Sequence, residues 1–212
     1  MADLLITFID LFIHLDRHLG EMLQYFGIWT YVVIFLIIFC ETGLVVTPFL
    51  PGDSLLFVTG TLAAAGMMDI QVVTLLLMLA SFSGDNSNYW IGRIIGPKVF
   101  SRDGSRLLNR KHLDKTHAFY ARHGGKTVLF ARFLPIIRTF APFVAGIGQM
   151  AYRRFVAYSF FGAISWIGFF VLGGYFFGNL PFVKQNLTLM IFGIIGLSVL
   201  PGMIGYIRHR SA

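Results

Sequence analysis

The chain has 212 residues, 56% of them hydrophobic and 13% charged, with a formal net charge of +7 and a mean hydropathy of +0.73. That balance describes a polytopic membrane protein and leaves no polar block long enough for a soluble domain. The single cysteine, Cys40, lies in an apolar run, which excludes an intramolecular disulfide and a cysteine-rich metal site.

Residues 3–19 read as an amphipathic helix, with Asp3, Thr7, Asp10, His14 and Arg17 on one stripe and Leu4, Phe8, Leu11, Leu15 and Leu19 opposite. Such a helix suits the membrane interface, or packing on the bundle with its polar stripe wet. The N-terminus has neither the basic flank nor the small-residue cleavage site of a signal peptide, so Met1 is expected to remain. Residues 22–40 are long enough to span, at about 28 Å. Pro48, Pro51 and Gly52 then interrupt the apolar sequence, with Glu41 before the break and Asp53-Ser54 after it. A straight helix here would leave each acid in hydrocarbon at about 2.5–3.5 kcal/mol. Proline ends the helix instead, and non-helical backbone at membrane depth survives only inside protein or beside a wet cavity. Residues 41–66 are therefore expected to form a re-entrant hairpin with both acids near its tip. Its returning helix, Ser54 to Ala65, is too short to cross.

Ile70 to Ile95 is the next span. Its polar run of Ser81, Ser83, Gly84, Asp85, Asn86, Ser87 and Asn88 should face the bundle interior, which makes Asp85 and Asn88 secondary site candidates. Residues 97–126 form a basic loop, cytoplasmic by the positive-inside tendency, with one helix near 110–123 stopped by Gly124-Gly125. The loop is a topology signal and not a nucleic-acid site. Its histidines, His112, His117 and His123, are spaced by five and six residues, share no helical face and make no metal site.

Residues 127–150 repeat the earlier pattern: apolar sequence carrying Arg132 and Arg138, interrupted by Pro135 and Pro142, with Thr139 a further candidate. A second re-entrant hairpin is expected, bearing arginines where the first bears acids. Gly146 follows the second break much as Gly60 follows the first. Matching breaks in two halves point to a repeat with the binding site at its interface. Residues 155–177 and 187–207 complete the spans, with Arg208 and Arg210 inside and both termini cytoplasmic.

Charge is distributed to match. No Lys or Arg occurs between Arg17 and Arg93, an interval holding Glu21, Glu41, Asp53, Asp69 and Asp85; no acidic residue follows Asp114, while Arg132, Arg138, Arg153 and Arg154 do. Halves that face each other would compensate each other's charge. The fold expected is an all-α membrane protein, a single transmembrane domain over 1–212: a polytopic helical bundle with two re-entrant, broken-helix hairpins related as an inverted repeat.

The stretches Phe39-Cys40-Glu41-Thr42-Gly43 through Pro51-Gly52-Asp53-Ser54-Leu55-Leu56, Gly84-Asp85 with Asn88-Tyr89 and Gly92-Arg93, and Ala131-Arg132-Phe133 with Pro135, Arg138-Thr139 and Ala145-Gly146 together resemble the DedA family of bacterial inner-membrane proteins. The resemblance runs from about residue 4 to residue 209. It implies a transporter needed for envelope integrity, returning undecaprenyl phosphate or a phospholipid across the bilayer with the proton-motive force as driver. Distant eukaryotic relatives behave as lipid scramblases. The family's functional acids match Glu41 and Asp53, and its functional arginines match Arg132 and Arg138.

The residue chemistry points the same way. Arginine offers planar donors that bind phosphate bidentately and stay charged at any relevant pH. Asp53 or Ser54 can cap a helix beginning near Leu55, whose free N–H groups favour an anion. Arg132, Arg138 and Ser54 are thus the expected phosphate ligands, and Glu41 and Asp53 the groups that exchange a proton. The same charges also suit plain buried ion pairs, Glu41–Arg138 with Asp53–Arg132, or the swapped set. A membrane phosphatase would need an activated nucleophile, and no histidine falls in the apolar segments, so an enzyme is not expected. A proton-coupled small-ion transporter and a non-transporting envelope assembly factor are the rivals. Expected partners are the lipid, protons and the membrane, with a homo-oligomer allowed and no cofactor or metal.

Overall fold

A computed structural model of the chain describes residues 15–44, 52–99 and 125–178, with 180, 181, 183 and 193. Pro48 and Pro51, most of the 3–19 helix, nearly all of the 97–126 loop and all of the 187–207 span but residue 193 lie outside these residues. All regular structure among them is helical: α1 (Leu15–Phe26), α2 (Trp29–Gly43), α3 (Gly52–Ala64), α4 (Ile70–Val99), α5 (Gly125–Ala131), α6 (Pro135–Ile147) and α7 (Tyr152–Phe177). The described residues of Met1–Ile37, Pro51–Met78 and Ile167–Ala212 make up one compact unit, and those of Ile38–Leu50 and Leu79–Trp166 a second.

In the first unit the expected 22–40 span is divided. α1 runs on to Phe26, and Gly27 at φ +52° ends it, a left-handed position that glycine takes without a Cβ clash. The Thr30 hydroxyl donates back to the Met22 carbonyl at 3.0 Å. α2 then covers 15 residues, about 22 Å and shorter than a bilayer core. α3 starts at Gly52, earlier than the expected Leu55, and its residues from Ser54 to Ala63 are all buried. It packs against α1 and against α7, where close backbone approach requires glycine. A Cβ on Gly60 would lie 2.2 Å from the Val171 carbonyl oxygen, and one on Gly174 would lie 2.0 Å from that of Phe57. Small residues let helix backbones meet in this way. α3 closes in a Schellman turn: the Met67 N–H donates to Leu62 and that of Gly66, at φ +77°, to Ala63. Asp69 then caps α4, its Oδ1 accepting from the N–H groups of Gln71 (2.8 Å) and Val72 (2.9 Å).

The second unit holds α5 and α6, which pack on one another across a three-residue turn at Arg132–Leu134. Pro135 opens α6, where its missing N–H is no loss. Pro142 was expected to break the chain; it lies inside α6 instead, removing one rung of the helical ladder. The interruption here is therefore the turn before Pro135. α6 ends as α3 does, with the Met150 N–H donating to Ala145 and that of Gln149, at φ +46°, to Gly146. α6 is seated on α4 by glycines again: a Cβ on Gly146 would meet the Tyr89 carbonyl oxygen at 2.1 Å, and one on Gly92 that of Phe143 at 2.1 Å. Tyr89 stacks on Phe155 at 4.4 Å and donates to the Met150 carbonyl at 2.5 Å.

Polarity is arranged opposite to that of a soluble protein. Leu75, Leu79, Phe130, Phe160, Phe161, Phe169 and Phe176 are exposed, while Ser81, Asp85, Asn88, Arg132, Arg138 and Ser159 are buried. Among the described residues one helix, α7, has both the length and the hydropathy to cross a bilayer. α4 has 30 residues but carries the polar run in its middle.

Candidate functional site

The second unit gathers the charges. α4 presents Ser81, Asp85 and Asn88 at i, i+4 and i+7, one face of a helix, and α7 presents Ser159, Gly162 and Trp166 at i, i+3 and i+7. The α5–α6 turn delivers Arg132 and the first turns of α6 deliver Arg138, while Glu41 comes from the last turn of α2.

Arg132 is 2% exposed. Its Nη1 donates to Ser81 Oγ at 2.5 Å, and its Nη2 donates to Asp85 Oδ2 and, at 3.4 Å, to Ser159 Oγ. Ser159 Oγ donates in turn to the same Asp85 oxygen at 2.6 Å. The Nε of Arg132 is buried with no hydrogen-bond partner among the described residues. The stem of this arginine passes over Gly162, where a Cβ would stand 2.7 Å from its Cδ and Nε. Arg138, 3% exposed, donates from Nη2 to Glu41 Oε1 at 2.5 Å. The buried Trp166 ring lies beneath both guanidinium groups, 4.2 Å from the Cζ of Arg138 and 6.0 Å from that of Arg132, distances at which a cation interacts with an aromatic face.

Asn88 ties the two pairs to the backbone. Its Nδ2 donates to the Thr139 carbonyl at 2.6 Å and to the Thr42 carbonyl at 3.0 Å, the residues next to Arg138 and Glu41. Gly43 and Gly84 allow that approach: a Cβ on Gly84 would lie 2.0 Å from Thr42 Oγ1. Two cations and two anions in this interior sum to zero, which is how buried charge is tolerated. Removing one member of such a pair costs about 3–5 kcal/mol.

Of the alternative pairings, Glu41–Arg138 is the one found. The carboxylate that pairs with Arg132 is Asp85 and not Asp53. Asp85 therefore moves from secondary candidate to charge partner, because a buried guanidinium takes the nearest acid on a packed helix face. Asp53 is half-buried in the first turn of α3, within the first unit, with Gly52 as that helix's first residue. Ser54 lies inside α3 and not at its cap; its Oγ is buried without a hydrogen-bond partner among the described residues. Ser81 was expected to face the interior but not to hold Arg132, and Ser159 and Trp166 were missed, although their helical spacing to Gly162 was readable.

A helical chain with apolar residues turned outward and guanidinium–carboxylate pairs sealed within is a membrane protein built around buried charge. Residues 50–176 match the model of the VTT domain. Protein DedA of Escherichia coli K12 is 54% identical over 212 residues, covering 99% of this chain and 97% of its own. An uncharacterised membrane protein of Mycobacterium tuberculosis H37Rv is 40% identical, covering 84% of this chain and 79% of its own. Inner membrane protein YghB of Escherichia coli K12 is 34% identical, covering 74% and 71%. No solved structure matches the chain. The chain belongs to the VTT-domain, or DedA, family of membrane proteins.

Proposed function

We propose that this protein moves an anionic lipid, undecaprenyl phosphate or a phospholipid, across the bacterial inner membrane with proton coupling, and that it is not an enzyme. The observation that carries the reading is the pair of guanidinium groups, Arg132 and Arg138, buried beside one tryptophan and each held by a carboxylate. Arginine forks suit phosphate oxygens, and a carboxylate that takes up a proton releases its arginine to another anion. In this account Arg132 and Arg138 contact the headgroup, Glu41 carries the proton that frees Arg138, and the lipid tails stay in the bilayer. Ser159 is a poor nucleophile because the carboxylate it donates to is already neutralised by Arg132.

Residues 41–66 and 127–150 are, on this reading, two re-entrant hairpins of an inverted repeat, and both termini lie in the cytoplasm. Supporting the repeat, α3 and α6 are equally long, end in the same turn and use equivalent glycines. The names of relatives support the location, one being an inner membrane protein.

The test is reconstitution. In proteoliposomes containing undecaprenyl phosphate, an impermeant phosphatase outside reads how fast inner-leaflet headgroups become accessible, with and without an imposed proton gradient. Wild type is expected to exceed protein-free vesicles and to respond to the gradient, while Arg132→Gln and Arg138→Gln fall to background. Accessibility no faster than in empty vesicles, for this lipid and for phosphatidylethanolamine with an amine-reactive probe, defeats lipid transport and leaves the ion pairs as a scaffold.

A further inference from the structure

We propose that Asp85 competes with an anionic headgroup for Arg132, so that the Asp85–Ser159 pair sets how tightly a phosphate is held. This rests on the reading that Arg132 binds phosphate. Arg132 meets its carboxylate through one atom on each side. A single oxygen of Asp85 accepts from both Arg132 Nη2 and Ser159, while Nε, the other half of the fork, has no hydrogen-bond partner among the described residues. A fork normally engages two oxygens through Nε and Nη2 together. A phosphate monoester, with three acceptor oxygens, can fill both positions where Asp85 fills one. The Ser159 hydroxyl holds Asp85 at 2.6 Å and the Ser81 hydroxyl holds Nη1 at 2.5 Å. The guanidinium is thereby oriented in advance, and the carboxylate remains the part to be displaced. Buried charge makes the exchange stringent, because Arg132 is costly to leave without an anion.

The competition has a sign. Asn at position 85 keeps the side chain's shape but withdraws the competing charge, so added phosphate should bind more tightly. The experiment uses the full chain in dodecyl maltoside micelles, with Trp29 and Trp90 replaced by Phe so that Trp166 is the remaining tryptophan of the three. Trp166 lies against both guanidinium groups, and its emission reports their movement. Dodecyl phosphate and inorganic phosphate are titrated in separate arms.

Asp85→Asn is expected to lower the half-saturating dodecyl phosphate concentration by about tenfold or more, and Ser159→Ala, which loosens Asp85, by about two- to threefold. Asp85→Asn combined with Arg132→Gln should lose the gain. Saturable wild-type binding that Asp85→Asn fails to tighten overturns the competition. So does a gain that survives in the double variant. If Asp85→Asn does not yield a monodisperse protein, Ser159→Ala decides, and unchanged or weaker binding there overturns the proposal. No emission change in any protein defeats the phosphate-binding reading itself. Equal tightening with inorganic phosphate supports the competition and overturns the lipid as its source, whereas tightening confined to dodecyl phosphate supports both.

Discussion

Each unit seats a thirteen-residue helix against a long one by the same device. In the first, Phe57 and Gly60 of α3 meet Val171 and Gly174 of α7; in the second, Phe143 and Gly146 of α6 meet Tyr89 and Gly92 of α4. Both short helices close in a Schellman turn, one with Gly66 and the other with Gln149 at positive φ. What differs is the cargo. α3 buries Leu, Phe, Val and Thr behind a single half-buried Asp53, while α6 and the turn before it bring Arg138 and Arg132 into contact with acids from α2 and α4. The seat depends on backbone and glycine and is indifferent to charge; the chemistry is added to one of two similar seats.

That contrast can be broken in graded steps. The largest effect belongs to the charged seat: Arg138→Gln leaves Glu41 buried without its ion-pair partner and should cost about 3–5 kcal/mol, read as a loss of unfolding temperature in detergent. Next come the glycines. Gly60→Ala and Gly146→Ala each push a Cβ to about 2 Å from a backbone carbonyl and should cost alike, about 1–3 kcal/mol each. Lipid transport by the surviving protein should fall more for Gly146→Ala, whose helix carries Arg138. A clear difference in the stability costs would sever the parallel between the seats. Asp69→Ala removes the cap of α4 for about 1 kcal/mol, equally in the presence and absence of lipid. The smallest effect is Ser54→Ala. Its hydroxyl is buried without a hydrogen-bond partner among the described residues, so stability should hold or rise slightly with transport unchanged.

Much of this was legible in the residues, and the failures have physical causes. Intramembrane charge stood out because hydrocarbon penalises it, which led to Glu41, Arg132 and Arg138. Gly60 and Gly146 were singled out as glycines following a break, and each is where a short helix meets a long one without room for a Cβ. Pro142 misled because a proline in a buried helix forfeits one bond without ending the helix, whereas Pro135 at a first position marks a true start. The 22–40 span was misjudged because Gly27 looks harmless in an apolar run until its left-handed φ is known. Asp53 was one of two acids weighed as partners for Arg132, and Asp85 was not among them. Pairing is decided instead by which helix face packs against the turn, and Ser81, Asp85 and Asn88 share that face.

On the proposed function the buried pairs are a site and not merely a clamp. Neutralising both partners at once separates these, since neither charge is then left buried without its counterpart. Lipid accessibility in proteoliposomes should therefore be measured for Asp85→Asn with Arg132→Gln, and for Glu41→Gln with Arg138→Gln, in proteins whose unfolding temperatures match wild type. The expected result is a folded protein that moves no lipid. Transport at the wild-type rate by either double variant would leave the pairs as a clamp only.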